Sequence, residues 1–379
     1  MNIFWRRKNA GGAVSDGHTS RRRFRPRVDL MEERTLLSLL TVTNTKDSGP
    51  GSLRDTISSA AAGDVIQFQF LRGSGNKIAL TSGALSITKP LTIVGPSQST
   101  LTVDAGYKSQ VFLVNTSGDV EIRNLTISGG RETLGGGISA KNAHLVLKSD
   151  LVKDNLASPF IPGTTGLEAF GGGVAIVGDG ARLDVTDTVF SGNTTQGAAG
   201  NQIGLDGSDA FGGAIYAGRG TSVFVHGGSF MKNSANGGAG KAGAAGNAGA
   251  GTDGGRGGNG GKAVGGAIAA LGSLEVSTAM FSDNAALAGA GGKGGSGLNG
   301  GVGGNGGAAH GGAIYAGAGL KLSSATLIAS AAQGGAGGNG GNGALSGPGT
   351  LRAGNGGQGG EAVGGGVEAG GVGLRTVGS

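Results

Sequence analysis

A unit built on Gly-Gly, an alternating apolar pair, an aromatic and an Asn recurs through the C-terminal two thirds of this chain, and a repeat so short leaves few folds open. Its clearest copy runs from Phe211 to Asn233: Gly212 and Gly213 lead to Ile215, Val223 and Val225 alternate, Phe230 follows five residues on, and Asn233 comes three later. Upstream the same landmarks are Gly136, Ile138, Leu145, Leu147, Val152 and Asn155, then Gly172, Val174, Leu183, Val185, Phe190 and Asn193. Downstream they are Gly265, Ile268, Leu274, Val276, Phe281 and Asn284, then Gly312, Ile314, Leu320, Leu322 and Leu327, with Ser330 in place of Asn. The step from the second residue of the pair to the next apolar residue is five in every copy.

Each copy holds about 20 to 23 residues between its Gly-Gly and its Asn, with short period-two runs separated by Gly, Ser or Asp. That is too short for helices and fits short strands joined by tight turns. One such triangular coil cannot bury its apolar side alone and must stack on others of its kind. The expected fold is all-β, a right-handed parallel β-helix solenoid with coils about 4.8 Å apart and like residues in inward ladders. The structural ladder positions are Ile138, Val174, Ile215, Ile268 and Ile314, then Phe190, Phe230 and Phe281, then Asn155, Asn193, Asn233 and Asn284. Asn tolerates the left-handed backbone of a turn, and stacked Asn amides can bond along a ladder.

Composition agrees with a narrow interior. Gly is 88 of 379 residues with only 7 Pro and no strict Gly-X-Y period, which argues against a collagen helix. Aromatics make up 4%, too few for a core of large side chains. Cys is absent, so neither disulfides nor thiolate metal sites hold the fold. The net charge of +6 is concentrated at the start: residues 1 to 35 carry nine Lys/Arg against four Asp/Glu, leaving twenty-one against twenty for the rest. The repeat body therefore gives no sign of a nucleic-acid partner.

In chain order, residues 1 to 39 form a basic leader or sorting segment, expected to be largely disordered, and residues 40 to 379 form the solenoid. Within it, 40 to 130 are expected to be compact, capped coils and 131 to 379 coils with Gly-rich insertions. No 7 to 15 residue apolar stretch follows the first basic cluster, and nothing approaches a transmembrane segment. Ser52 to Ala62 has Ser at an N-cap position and apolar Leu53 and Ile57 at helical spacing, which predicts a short helix capping the open end of the solenoid. From Ile78 to Ile127 the alternation runs through Leu85/Ile87, Leu91/Ile93, Leu101/Val103, Val111/Leu113, Val120/Ile122 and Leu125/Ile127.

Two resemblances add to this. RPRVDLMEERTLLS, with Glu32, Glu33 and Arg34, resembles a short N-terminal segment of many large surface or secreted proteins of planctomycetes, which implies export. Residues 40 to 330 resemble bacterial surface proteins with polymorphic-outer-membrane-protein-type repeats. The motifs are GGAI at 212, 265 and 311, GGGI or GGGV at 135, 171 and 364, and FSGN, FMKN and FSDN at 190, 230 and 281. That resemblance implies a right-handed β-helix at the cell surface or outer membrane, and says far less about activity.

Each of the later coils carries an insertion after its Asn position, of roughly 15, 18, 31, 26 and 33 residues in order, so all of them should leave from one corner. Their composition drifts from LASPFIPGTTGLEAF to the nearly pure GGAGGNGGNG of 334 to 343, which resembles the Gly-rich repeats of mycobacterial surface proteins. Two states are open to such tracts: flexible coil, or an array of extended left-handed polyglycine helices that only Gly packs closely enough to form. The sequence runs out partway through a further copy, and an edge of that kind invites self-association.

Chemistry finds little purchase. Polysaccharide lyases and glycosidases on this fold need clustered carboxylates, whereas Asp184 and Asp187 sit in one coil and Glu275 and Asp283 in another. His144, His226 and His310 fall at different registers, so no metal site is expected. GLDGSD at 204 and GTDGG at 251 lack the nine-residue period of a calcium repeat, and no GxGxxG opens a βαβ unit, so no cofactor is expected. The reading is a non-enzymatic, exported surface scaffold or adhesin-like protein with an unknown cell-surface or matrix ligand, a glycan being one candidate. The alternatives are a polysaccharide-active enzyme and a purely structural, self-associating envelope component.

Overall fold

A computed structural model describes residues 38–69, 76–159, 167–344, 352–370 and, for the backbone, 374–377. Residues 1 to 37 of the leader therefore lie outside the described residues, while Ser38 and Leu39, assigned to the leader on sequence, join the solenoid: Leu39 opens its first strand and the Ser38 amide donates to Asp64 Oδ1 at 2.8 Å. Those from 38 onward form a parallel β-helix: five sheets of ten, eight, eight, six and five strands, each strand paired in parallel with the equivalent strand of the next coil. One coil shows the plan. Ile215–Ala217 is its first strand, Ser222–His226 its second, Ser229–Met231 its third, Ser234–Asn236 its fourth; the chain then departs and returns as Ala263–Val264, the fifth, before Ile268–Ala270 opens the next coil.

The first three strands enclose the core because alternate residues point inward and pair like with like. Ile138, Val174, Ile215, Ile268, Ile314 and Val367 are in register along the first sheet. Phe190, Phe230 and Phe281 are in register along the third, fully buried. Their rings stack with centroids 4.8 and 4.7 Å apart and planes within 3° and 7° of parallel. Each buried Phe contributes about 2 to 3 kcal/mol of transfer free energy, with ring stacking adding to it. Among the early coils the phase is shifted at one place. Of the pair Val111/Leu113 only Val111 is buried: Phe112 and Val114 join it in the core, while Leu113 is 37% exposed. The apolar run Val111 to Val114 offers both alternations, and a slip of one residue exchanges the faces of a strand.

The corner residues follow from backbone conformation. The residue in the left-handed region is the one before the Asn, not the Asn itself: Asp154, Gly192, Lys232 and Asp283 have φ of 53, 65, 54 and 54°. The first Gly of each pair is left-handed too, and a Cβ on Gly212 (φ 67°) would lie 2.1 Å from the carbonyl oxygen of Ile215. A Cβ on Gly213 would lie 2.1 Å from the Gly266 carbonyl and 2.5 Å from the Ser234 amide. The departing and returning legs of the chain cross there, which is why Gly-Gly and Asn are tied in one repeat.

The helix Leu53–Ser59 caps the N-terminal end, with Ser52 Oγ accepting from the Asp55 amide at 3.2 Å and Leu53, Thr56 and Ile57 buried. It ends three residues before the expected Ala62, because Ala60 is already extended. Asp47 ties this cap to the next coil: its carboxylate takes Arg54 Nη2 at 2.7 Å, the amides of Thr81 and Ser82 at 3.1 and 2.8 Å, and the Thr81 hydroxyl at 3.0 Å.

The insertions leave from one corner, and their described arms are bonded to one another. At the neck, Ala235 and Ala286 of the fourth sheet and Ala210, Ala263 and Ala309 of the fifth form one buried cluster. Beyond it, outgoing and returning arms are hydrogen-bonded with a period of three. Gly291 and Gly294 donate to the carbonyls of Ala336 and Asn339 in the next outgoing arm, both at 2.8 Å. Gly292 and Gly295 donate to Gly258 and Gly255 in the preceding returning arm, at 2.7 and 2.8 Å. Gly304 and Gly307 donate across to Gly292 and Gly289 of their own outgoing arm, both at 2.8 Å. A three-residue period with all bonding between chains is that of a polyglycine helix array, and it decides against flexible coil. Gly is required sterically: a Cβ at Gly295, Gly304 or Gly360 would sit 1.7 to 1.8 Å from a neighbour's carbonyl oxygen.

Candidate functional site

Three groups of polar residues are organised by the stacking, and each takes its geometry from register. The first is the Asn row. Asn155, Asn193, Asn233 and Asn284 are at most 1% exposed. Each Nδ2 donates to the next Oδ1 at 3.0 Å: Asn155 to Asn193, Asn193 to Asn233, Asn233 to Asn284. Each amide also closes the corner, Asn233 Nδ2 donating to the Phe190 carbonyl and Oδ1 accepting from the Asn193 backbone N–H, both at 3.0 Å. Fully satisfied and dry, this row is architectural; it offers no atom to a ligand.

The second group lies on the outward face of the second sheet. Register places Asp119, His144 and Arg182 side by side, and Asp184 two residues along from Arg182. His144 Nδ1 lies 3.0 Å from Asp119 Oδ1 and its Nε2 2.7 Å from Asp184 Oδ2. Arg182 Nε donates to both Asp184 oxygens at 2.9 Å, and its guanidinium lies 4.2 Å over the Phe224 ring. Two carboxylates that look scattered in sequence are thus brought to one imidazole from the coils on either side of it. Aligning 119, 144 and 182 across the coils would have revealed it; the spacing within one strand does not. His226 and His310 go elsewhere, to Ser277 Oγ at 2.9 Å and Glu368 Oε2 at 3.1 Å.

The third group is the surface of the returning arms. The residue after each Gly pair faces outward, and side-chain oxygens there accept the backbone N–H of the next arm: Asp206 from Asn259, Asn259 from Asn305 and Asn305 from Gln358. Asp209 takes the Lys262 amide at 2.7 Å and Asp253 that of Asn299 at 2.9 Å. The acidic residues of GLDGSD and GTDGG are therefore engaged as acceptors for backbone amides. The result is a polar grid with arms repeating across it and outward positions every third residue along it.

One buried acid stands apart. Asp150 is fully buried and accepts from the amides of Leu125 at 2.8 Å and Lys148 at 3.1 Å. Burial pushes its carboxyl well above the usual range, against the pull of those two donors. It faces the interior of a turn and caps it. Among the described residues, no group of three or more His, Cys, Asp or Glu is arranged to hold a metal ion, and no helix is long and apolar enough to cross a membrane. No protein-family model matches the chain, and no curated protein matches it.

Proposed function

We propose that this protein is an exported, non-enzymatic surface scaffold whose coil body holds a polyglycine layer out for contact with a cell-surface or matrix ligand. The observation that carries this reading is the division of labour within each repeat. The inward ladders and Asn row make the body, while the Gly positions of the insertions make a rigid sheet in which every third residue turns its side chain outward. Those outward positions hold Ala290, Lys293 and Ser296 on an outgoing arm, and Arg256, Asn259, Val302, Asn305 and Gln358 on returning arms. A sheet pinned by backbone bonds presents such groups with little entropy left to lose on binding. The resemblance of the leader and of the GGAI and Phe-x-x-Asn motifs to bacterial surface proteins supports the location.

Protease shaving of intact cells, followed by mass spectrometry, tests it. Peptides from 237 to 262 or 288 to 308 released from living cells are expected; recovery only after lysis would refute the surface reading. Replacing 288 to 308 by a short turn should leave the body folded and lower adhesion to cells or matrix. Undiminished adhesion would move the contact surface elsewhere.

A further inference from the structure

Asn is followed directly by Gly at seven places, 236, 259, 299, 305, 339, 342 and 355, and each lies in a polyglycine arm or at its neck. Such a pair can modify itself: the Gly nitrogen, with no Cβ to shield it, is able to close on the Asn side-chain carbon. To do so the peptide plane between the two residues must rotate. The array divides the seven by how firmly that plane is held.

In four of them both ends of the plane are bonded to neighbouring coils. The amides of Gly237, Gly260, Gly300 and Gly306 donate to the carbonyls of Leu287, Asn305, Arg352 and Gln358 at 2.8, 2.8, 2.9 and 2.8 Å. On the other side, the carbonyls of Asn236, Asn259, Asn299 and Asn305 accept from Gly197, Gly207, Gly254 and Gly260 at 2.8, 2.8, 2.9 and 2.8 Å. Three of these side chains are also engaged: Asn259 Oδ1 accepts the Asn305 N–H at 3.0 Å, Asn299 Nδ2 donates to Asp253 at 2.8 Å, and Asn305 Oδ1 accepts the Gln358 N–H at 3.0 Å.

Asn339, Asn342 and Asn355 lie in the outermost pair of arms among the described residues, and their side chains are exposed. Their carbonyls accept from Gly294, Gly297 and Gly303 at 2.8, 3.1 and 2.9 Å. The amides of Gly340, Gly343 and Gly356, and the three Asn side chains, have no hydrogen-bond partner among the described residues. Rotating one of these planes therefore breaks one bond instead of two, and both reacting groups are free.

We propose that Asn339, Asn342 and Asn355 are sites of intramolecular deamidation, with water as the only co-reactant. The Gly nitrogen gives its proton to solvent and attacks Asn Cγ. A new N–Cγ bond closes a succinimide as the Cγ–Nδ2 bond breaks, and the departing nitrogen takes a proton from solvent and leaves as ammonia. Water then opens the ring at one of its two carbonyls, giving aspartate or isoaspartate. Nothing is oxidised or reduced; one amide becomes one carboxylate. Either product adds a negative charge to the outer arms. Isoaspartate also inserts a methylene into the main chain, which shifts the three-residue phase beyond it and takes the Gly341 and Gly357 amides off the Gly301 and Gly338 carbonyls, now 2.8 and 2.7 Å away. The outermost arms are thus a site of covalent ageing, and each inner pair is shielded by the pair stacked on it. This holds wherever the chain resides and does not rest on the surface reading.

The test incubates the full chain in mildly alkaline buffer, native and in urea, and follows each Asn by peptide mass spectrometry with electron-transfer fragmentation, which separates isoaspartate from aspartate. In urea all seven should convert at comparable rates. In the native chain Asn339, Asn342 and Asn355 should convert at least about tenfold faster than the other four, whose reaction waits on local opening. Gly356→Ala fits without a clash, its Cβ meeting only the Gly338 carbonyl oxygen at 3.7 Å. It should slow Asn355 by about tenfold or more, because the methyl shields the attacking nitrogen, while the melting curve and the conversion of Asn339 stay as in the native chain. Equal native rates at all seven sites, or an Asn355 rate that Gly356→Ala leaves unchanged, would overturn the proposal. So would outer sites that convert in urea yet stay intact in the native chain.

Discussion

Replacing Asn233 by Ala removes the middle of the Asn row and tests whether that row holds the corner together. The native amide donates to the Phe190 carbonyl and to Asn284 Oδ1, and accepts from the Asn193 backbone and side chain, all at 3.0 Å. Some neighbours keep a partner: Asn193 Nδ2 still reaches the Val152 carbonyl at 2.8 Å, and Asn284 Oδ1 still accepts the residue 233 amide at 3.1 Å. The Asn193 N–H and the Phe190 carbonyl lose this bond inside a dry corner. At about 1 to 3 kcal/mol for the buried Asn193 N–H left unpaired, and about 1 kcal/mol for the bond lost by the Phe190 carbonyl, which stays in the strand ladder, the cost is about 2 to 4 kcal/mol. Lys232→Ala, one residue away on an exposed side chain, should stay within about 0.5 kcal/mol. Asn233→Asp should cost at least as much as Ala, since it turns a donor into an acceptor facing two oxygens. Coil-resolved hydrogen exchange with thermal melting would read this, because damage in a solenoid spreads mainly to adjacent coils. If Asn233→Ala and Lys232→Ala melted alike, the row would be reduced to ordinary turn residues.

The other expectations follow from the same geometry. Phe230→Ala, which opens a gap between two stacked rings, should destabilise its coil by about 3 to 5 kcal/mol, and a melting curve close to native would mean the coil register is wrong. Gly304→Ala places a methyl 1.8 Å from the Gly258 carbonyl oxygen and should disorder the surrounding arms, whereas Val302→Ala, at an outward position 46% exposed, should not; equal exchange in the two variants would remove the steric argument. Burial tends to raise the Asp47 carboxyl, but its bonds to Arg54, Ser82 and Thr81 together outweigh that and hold it well below the usual carboxylate range. Its folded pKa being depressed, its stabilisation of the cap is full above the unfolded value near 4 and is lost as pH falls below it. The gap in melting temperature between native protein and Asp47→Asn should therefore narrow from pH 6 towards pH 2, and a gap independent of pH would contradict the assignment.

Much of the body was legible because a β-helix writes its register into the sequence. The spacing of Ile215, Val223, Val225 and Phe230 specifies which residues face inward, and stacking places identical ones together. Ser52 and Leu53 marked the cap for the same local reason. What escaped was whatever depends on pairs of coils. Val111 to Val114 could alternate in either phase, and only its pairing with Leu85–Ile87 and Ile138–Lys141 selects Phe112 and Val114. The Asn row was legible from its constant spacing, and only its backbone differed: the left-handed residue of each corner precedes the Asn. The contact of His144 with Asp119 and Asp184 was invisible because its members come from three coils with unequal insertions between them. Phe170 and Phe211, immediately before Gly-Gly, stack at 5.3 Å outside the core and fill the crook between the fifth and first sheets with Tyr216; their position before the landmark was the unused signal.

Order in the glycine-rich arms is the central claim, and amide hydrogen exchange across 289 to 307 tests it most directly. Two of every three amides there are bonded to a neighbouring arm's carbonyl, and the third faces outward, where those of Asn299 and Asn305 find side-chain acceptors in Asp253 and Asn259. The amides of Gly291, Gly292, Gly294, Gly295, Gly303, Gly304, Gly306 and Gly307 should be slowed about a hundredfold or more, while those of Lys293, Ser296 and Val302 exchange at nearly the free-chain rate. A three-residue rhythm of protection is the predicted result; uniform fast exchange through the arm, with the flanking strands Ala285–Leu287 and Ala309–His310 still protected, would contradict it.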